Sequence, residues 1–109
     1  MVHAVKDMDD FNNQLTAAGA KLVVVDFHAT WCGPCKMIAP HLEEMSKTME
    51  DVVFLKVDVD DCEDITATYW IKAIPSFIFL KNKEKVVGLM GVNIEKLKEV
   101  VNSRRELNQ

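Results

Sequence analysis

The 109 residues are short of cysteine, glycine, proline, clustered positive charge and long apolar runs, and each shortage removes a class of protein. Three cysteines are too few, and an odd number, for the disulfide framework of a small secreted domain. Four glycines and three prolines, scattered along the chain, leave no Pro/Gly-rich linker at which it would divide. Thirteen Lys+Arg stand against seventeen Asp+Glu, for a formal net charge of -4, with no basic block. A nucleic-acid surface needs clustered positive charge, so that class is set aside. No apolar run approaches the roughly 18 residues of a membrane span. Residues 1–10 have no long apolar stretch and turn acidic at once, unlike a secretory signal. The rest is ordinary for a folded chain: 49% apolar and 28% charged residues, enough for one continuous core. The expectation is a single domain over 1–109.

Apolar spacing organises the chain. Met8, Phe11, Leu15 and Ala18 recur at helical intervals, with acidic residues in the first turn and Gly19 as a stop. Leu22-Val-Val-Val-Asp-Phe27 reads as a strand buried on both faces. Ile38, Leu42, Met45 and Met49 stripe a helix that starts near Pro34, and Pro40 inside it should kink it. Met37, Met45 and Met49 read as core filler. Val52-Val-Phe-Leu-Lys-Val57 is a second apolar strand, and 61–70 a short helix with Trp70 packed at its end. Phe77-Ile-Phe-Leu80 and Val86 to Met90 suggest a hairpin across a charged turn at 81–85. Asn93 would cap a last helix that turns Ile94, Leu97, Val100 and Val101 inward, and a short strand at 2–6 is expected to lead. Strand–helix alternation followed by a hairpin implies an α/β fold: a mixed sheet with helices on both faces.

The cysteines carry the chemistry. Trp31-Cys-Gly-Pro-Cys-Lys36 falls where the first long strand hands over to a helix. Cys32 would sit at the first helical turn, where unpaired backbone N–H groups and the dipole favour an anion. A thiolate there is stabilised and becomes the better nucleophile. Cys35, three residues on and expected to be more sheltered, would resolve what Cys32 attacks. Gly33 would permit the tight start of the helix, and Pro34 would hold the backbone that keeps the sulfurs close. A Cys-x2-Cys pair at a strand-to-helix junction is a recognised redox signature. It is also zinc-ligand spacing, but the other candidates (Cys62, His3, His28 and His41) are scattered without ligand spacing. Asp58-Val-Asp-Asp-Cys-Glu-Asp64 imitates the start of a calcium loop, yet Glu63 stands at the sixth position and Tyr69 at the twelfth, so it reads as the solvated start of a helix. Cys62 in that acidic stretch reads as an inert thiol, with regulatory oxidation as the alternative. Asp26 is a carboxylate in an apolar strand; burial there would raise its pKa. Trp31 reads as an exposed apolar lip beside Cys32, with a core position as the alternative.

Val24-Val-Asp-Phe-His-Ala-Thr-Trp-Cys-Gly-Pro-Cys-Lys-Met-Ile-Ala-Pro40 closely resembles the active-site segment of thioredoxins. The resemblance continues through Phe54-Leu-Lys-Val-Asp-Val-Asp60, Ala73-Ile-Pro-Ser-Phe77, Phe79-Leu-Lys-Asn82 and Gly91-Val-Asn93, so it covers most of the chain in order. Thioredoxins are themselves the standing example of the Cys-x-x-Cys redox signature. The resemblance implies the thioredoxin fold: a central mixed five-stranded sheet, four strands forming its core, flanked by four helices. It implies a protein dithiol–disulfide oxidoreductase that uses a reversible Cys32–Cys35 disulfide and binds no metal or cofactor. Electrons would come from NADPH through a thioredoxin reductase, and targets would include oxidised proteins such as peroxiredoxins. A monomer in the cytoplasm, and also the nucleus, is expected, without nucleic-acid or membrane partners.

The same resemblance implies individual roles. Asp26 would accept the proton of Cys35, Lys56 would temper Asp26, and Gly33 and Pro34 would set the reduction potential. A cis Ile74–Pro75 bond would present the backbone of Ile74 to a substrate peptide. Trp31, Ile74, Pro75, Gly91 and Val92 would form the docking patch. Departures from the family pattern are His28, a potential titrating group near the site; Lys83 in place of the usual turn glycine, implying strain or a different turn; and Ser76 and Val92 at the substrate-facing edge. Ala73 stands where some animal members carry a cysteine, which excludes a dimer linked there. Residues 104–109 extend past the family's usual end and are expected to fray. An oxidase or isomerase on the same fold and a non-catalytic binding subunit are the alternatives; relatives of the first kind usually carry Gly-His or Pro-His between the cysteines.

Overall fold

The structure is a computed structural model and describes residues 1–105. Its elements are β1 (His3–Ala4), α1 (Met8–Ala18), β2 (Leu22–His28), α2 (Gly33–Thr48), β3 (Val52–Asp58), α3 (Glu63–Thr68), β4 (Ser76–Lys81), β5 (Glu84–Met90) and α4 (Ile94–Arg105). Local chemistry sets their limits. The Asp7 carboxylate accepts from Asp10 N at 2.8 Å to cap α1, and Gly19 ends that helix at φ +59°, a conformation open to glycine. Asn93 caps α4 by accepting from Lys96 N at 3.0 Å. Pro34 sits in the first turn of α2, where its missing N–H costs nothing.

The strands order as β1-β3-β2-β4-β5. β1, β3 and β2 run parallel, and β4 and β5 complete the sheet antiparallel. Strand periodicity then divides the core. Val23, Val25 and Phe27 face the layer of α1 and α3, packing with Phe11, Leu15 and Ile65. Leu22 and Val24 face the layer of α2 and α4, packing with Ile38, Leu42, Leu97 and Val101. Asp26 continues the second series, and the parallel register sets it opposite Lys56 of β3. The carboxylate is therefore delivered to the α2 face of the sheet.

Several expectations are corrected. The helix expected at 61–70 is confined to Glu63–Thr68, with Cys62 at its N-cap. The turn expected across 81–85 narrows to Asn82 and Lys83, both at positive φ (52° and 70°). Met45 is buried and Met49 half-buried, but Met37 is exposed, because it lies about 100° around α2 from the stripe headed by Ile38. Trp70 is not packed: it takes φ +56° and is 80% exposed. Arg104 and Arg105 belong to the last turn of α4, where Arg105 pairs with Asp51, so no fraying begins there. The remainder of the expected frayed tail, 106–109, lies outside the described residues.

The hairpin keeps the mirror-image type I′ geometry and accepts strain at Lys83. Side chains with a Cβ are disfavoured there by roughly 1–2 kcal/mol, whereas Asn-Gly is the favoured pair. Lys83→Gly is expected to stabilise the chain by about 1 kcal/mol, read as a higher urea midpoint at unchanged slope.

Candidate active site

The strand-to-helix junction after β2 builds the site. Cys32 is the N-cap of α2 in extended conformation, and its sulfur accepts from the backbone N–H of Cys35 at 3.2 Å. Cys32 and Cys35 are joined in a disulfide, with their Cα atoms 5.3 Å apart. The sulfur at the cap faces unsatisfied N–H groups and the positive end of the helix, which favours a thiolate once the bond opens. The expected difference in shelter is absent: Cys32 is 5% exposed and Cys35 4%. Both share a buried cluster with Ala29, and Val59 and Ile74 pack against that cluster. What separates the two is direction. Cys35 lines a cavity of about 120 Å³ together with Asp26, His28, Lys36, Ala39 and Lys56; Cys32 does not.

Asp26 is the charged group of that cavity that the sheet buries. Its Oδ1 is enclosed and has no hydrogen-bond partner among the described residues. Desolvation pushes its carboxyl up to about 7, against the smaller opposing pull of the Lys56 ammonium. His28, half-buried in the lining of the same cavity, is held below its ordinary value chiefly by burial. Beside the sulfurs, Ile74–Pro75 is cis and Gly91 N donates to the carbonyl of Pro75 at 2.9 Å. This bond ties the end of β5 to the site, with Gly91 at φ +85°. Trp31 is 68% exposed, as expected of a lip, and Val92 is also exposed.

The chain from residue 2 to 103 matches the family model described as Thioredoxin. It is 50% identical to thioredoxin of Ophiophagus hannah over 101 residues, 93% of this chain and 96% of that protein. The chain belongs to the thioredoxin family. Human thioredoxin is 48% identical over 102 residues, covering 94% of this chain and 97% of that one. The crystal structure of Fasciola hepatica thioredoxin superposes with a TM-score of 0.91 at 38% identity, covering 95% and 99% of the two chains. The five-stranded sheet with four helices is the thioredoxin fold. Thioredoxins are dithiol–disulfide oxidoreductases that work through a redox-active disulfide without a bound cofactor, and Cys32–Cys35 is that pair here. Family membership also brings a reductase and disulfide-containing proteins as partner classes.

Of the residues expected at the site, Ile74 packs with Cys32 and Cys35 and shares a hollow with Trp31, Gly91 bonds to Pro75, and Asp26 and Lys56 line a cavity with Cys35. The expectation that the tight start of α2 needs a glycine is corrected: the φ of Gly33 lies outside the positive region and a Cβ there would meet nothing within 4 Å. Ser76, expected at the substrate-facing edge, is buried, its hydroxyl donating to the Ala73 carbonyl. Cys62 is buried too; its thiol points to the carbonyls of Val5 and Lys6, and burial with nearby Asp64 and Asp61 pushes its pKa up. Among the described residues no three His, Cys, Asp or Glu side chains converge on a metal position, and no helix is long and apolar enough to cross a membrane. Sequence reasoning missed Asp60, which accepts the Trp31 indole N–H at 2.9 Å and so fixes the lip. The signal lay in the acidic run dismissed as a calcium loop. It also missed Val59, whose backbone N–H donates to His28 O at 2.9 Å and sets its side chain against the cysteines.

Proposed function

We propose that this chain reduces protein disulfides by division of labour between Cys32 and Cys35. The supporting observation is the Cys32 sulfur at the α2 N-cap, with Cys35 alone of the two lining the Asp26 cavity. The Cys32 thiolate attacks one sulfur of a target disulfide; the Cys32–target bond forms, the target S–S bond breaks, and the second target sulfur leaves as a thiolate. Cys35 gives its proton to the Asp26 carboxylate, directly or through water in the cavity, and attacks the Cys32 sulfur. The Cys32–target bond breaks, the remaining target thiolate takes up a proton, and the Cys32–Cys35 disulfide remains. Two electrons have passed to the target.

Lys56 tempers the charge on Asp26, and Gly33 and Pro34 set the potential of the pair. Trp31, Ile74, Pro75, Gly91 and Val92 form the patch on which a target strand docks, with the backbone of Ile74 pairing to it. The reductase that returns the dithiol is an NADPH-dependent thioredoxin reductase, and peroxiredoxins are among the targets. The chain acts as one domain over 1–109 and as a monomer, in the cytoplasm and the nucleus. The test is reduction of insulin disulfides with NADPH and a thioredoxin reductase. NADPH consumption should scale with the concentration of this chain. No consumption above the chain-free background overturns the reading, and a strongly oxidising reduction potential would assign the chain to the oxidases of the fold instead.

A further inference from the structure

Trp70 sets a large apolar ring in solvent just after α3. Its φ of +56° is an outlier for a bulky side chain, of the kind that persists where the surroundings hold it. Two backbone bonds hold it: Trp70 N to Ala67 O at 3.1 Å and Ile71 N to Thr66 O at 3.2 Å. The ring is 80% exposed, and across from it Met90, at the end of the edge strand β5, is 75% exposed. Between them lies a groove of about 310 Å³, floored by Ile78 and Gly88 and walled by Trp70, Lys72, Lys85 and Met90. A Cβ at Gly88 would meet Lys85 Cε at 3.3 Å, so the aliphatic stem of Lys85 lies against that glycine.

The groove adjoins the face that holds the cysteines. A second hollow of about 210 Å³, lined by Trp31, Val59, Ala73 and Ile74, shares Ile71 and Lys72 with the first. Met90 pairs with Ser76, and the next residue, Gly91, bonds to Pro75. Two strips of chain, 70–74 and 90–92, therefore lead from the groove to the rim around Cys32. A protein seated with its disulfide at Cys32 has this groove at the end of the same track.

We propose that the Trp70–Met90 groove is a specificity subsite for the disulfide target, taking one apolar side chain from the extended segment that carries the attacked cysteine. The proposal rests on the docking role assigned to the Cys32 rim above. Its occupant is the target rather than a second copy of this chain, because the groove joins the site through residues the target must already cross. The strip 70–74 spans at most about 13 Å, so the apolar residue sits about three to five positions from the cysteine.

The test uses synthetic peptides in a Gly/Ser/Glu background, each with one cysteine capped as a thionitrobenzoate disulfide and one leucine walked from one to six positions before or after it. Single-turnover reaction with the reduced chain is read as thionitrobenzoate release. The wild type should react about tenfold faster when leucine stands at one of the positions three to five than with the leucine-free peptide. The double variant Trp70→Asn/Met90→Ser, in which both changes fall on exposed residues and asparagine tolerates positive φ, should treat all peptides alike, at the wild-type rate for the leucine-free one. A flat series in the wild type, or a preference that survives in the variant, overturns the proposal. So does an equal slowing of the variant on every peptide, or a wild-type dimer in sedimentation that the variant dissolves. Failure of the underlying function looks different: no thionitrobenzoate is released from any peptide, and the subsite falls with it.

Discussion

Cys35→Ser is expected to stop turnover and leave the target covalently attached to the chain. The attack by Cys32 survives the substitution, because the helix N-terminus and the Cys35 backbone N–H that face its sulfur are main-chain features. The second displacement does not survive, since a serine hydroxyl beside a carboxylate that titrates near 7 is no match for a thiolate as a nucleophile toward sulfur. Steady-state insulin reduction should fall by on the order of 10³-fold or more, as is usual when one member of a catalytic unit is removed. Intact mass after mixing with an oxidised protein should show a one-to-one adduct, released by dithiothreitol. The converse variant, Cys32→Ser, should form no such adduct. This pair of variants decides what burial does not, because the two sulfurs are equally enclosed. An adduct on Cys35 in Cys32→Ser, with none on Cys32 in Cys35→Ser, would reverse the roles.

Much of the framework is legible in the sequence because the informative signals are local. The run Leu22-Val-Val-Val and the spacing Ile38, Leu42, Met45 announce β2 and α2, and the cysteines stand between them. Asp26 is legible for the same reason: a single charge in an apolar strand has to be buried or misplaced. Its surroundings are not local. The facing of Lys56, thirty residues away, depends on a parallel register, and the orphaned Oδ1 depends on how α2 lies over the sheet. The cluster that encloses the cysteines also takes in Val59 and Ile74, on two other segments, which no reading of the 31–36 motif includes. Trp70 misled because its hydrophobicity argues for packing, while the backbone after α3 reverses through positive φ and turns the ring outward. Met37 misled less deeply, by one residue of helical phase. The errors thus gather where a loop or a long-range contact overrides the preference of the residue itself.

Asp26→Asn is expected to stabilise the chain strongly at alkaline pH and hardly at all in acid, while slowing the release of the target. In the folded state the carboxyl titrates at about 7 because burial penalises its charge, whereas unfolded it returns to about 3.8. The folded chain therefore holds a proton between these values that the unfolded chain has lost. Stability contributed by the protonated group is intact below about pH 3.8, declines as pH rises through the window, and is gone above about 7. The gap corresponds to about 4 kcal/mol at 1.36 kcal/mol per pH unit. Asparagine keeps the shape and stays neutral, so urea titrations should show the variant level with the wild type near pH 4 and more stable by about 4 kcal/mol at pH 8. A constant difference across this range would mean that some other property of the substitution, not ionisation of Asp26, carries the effect. The same ionisation is what the chemistry uses. An ionised Asp26 beside Cys35 can take the thiol proton, so resolution of the mixed disulfide should quicken as pH rises through about 7 in the wild type. In the variant that inflection should vanish and the step slow by on the order of 10²-fold. The carboxylate weakens the fold at the pH where it becomes a base, and one substitution should remove the strain and the proton acceptor together.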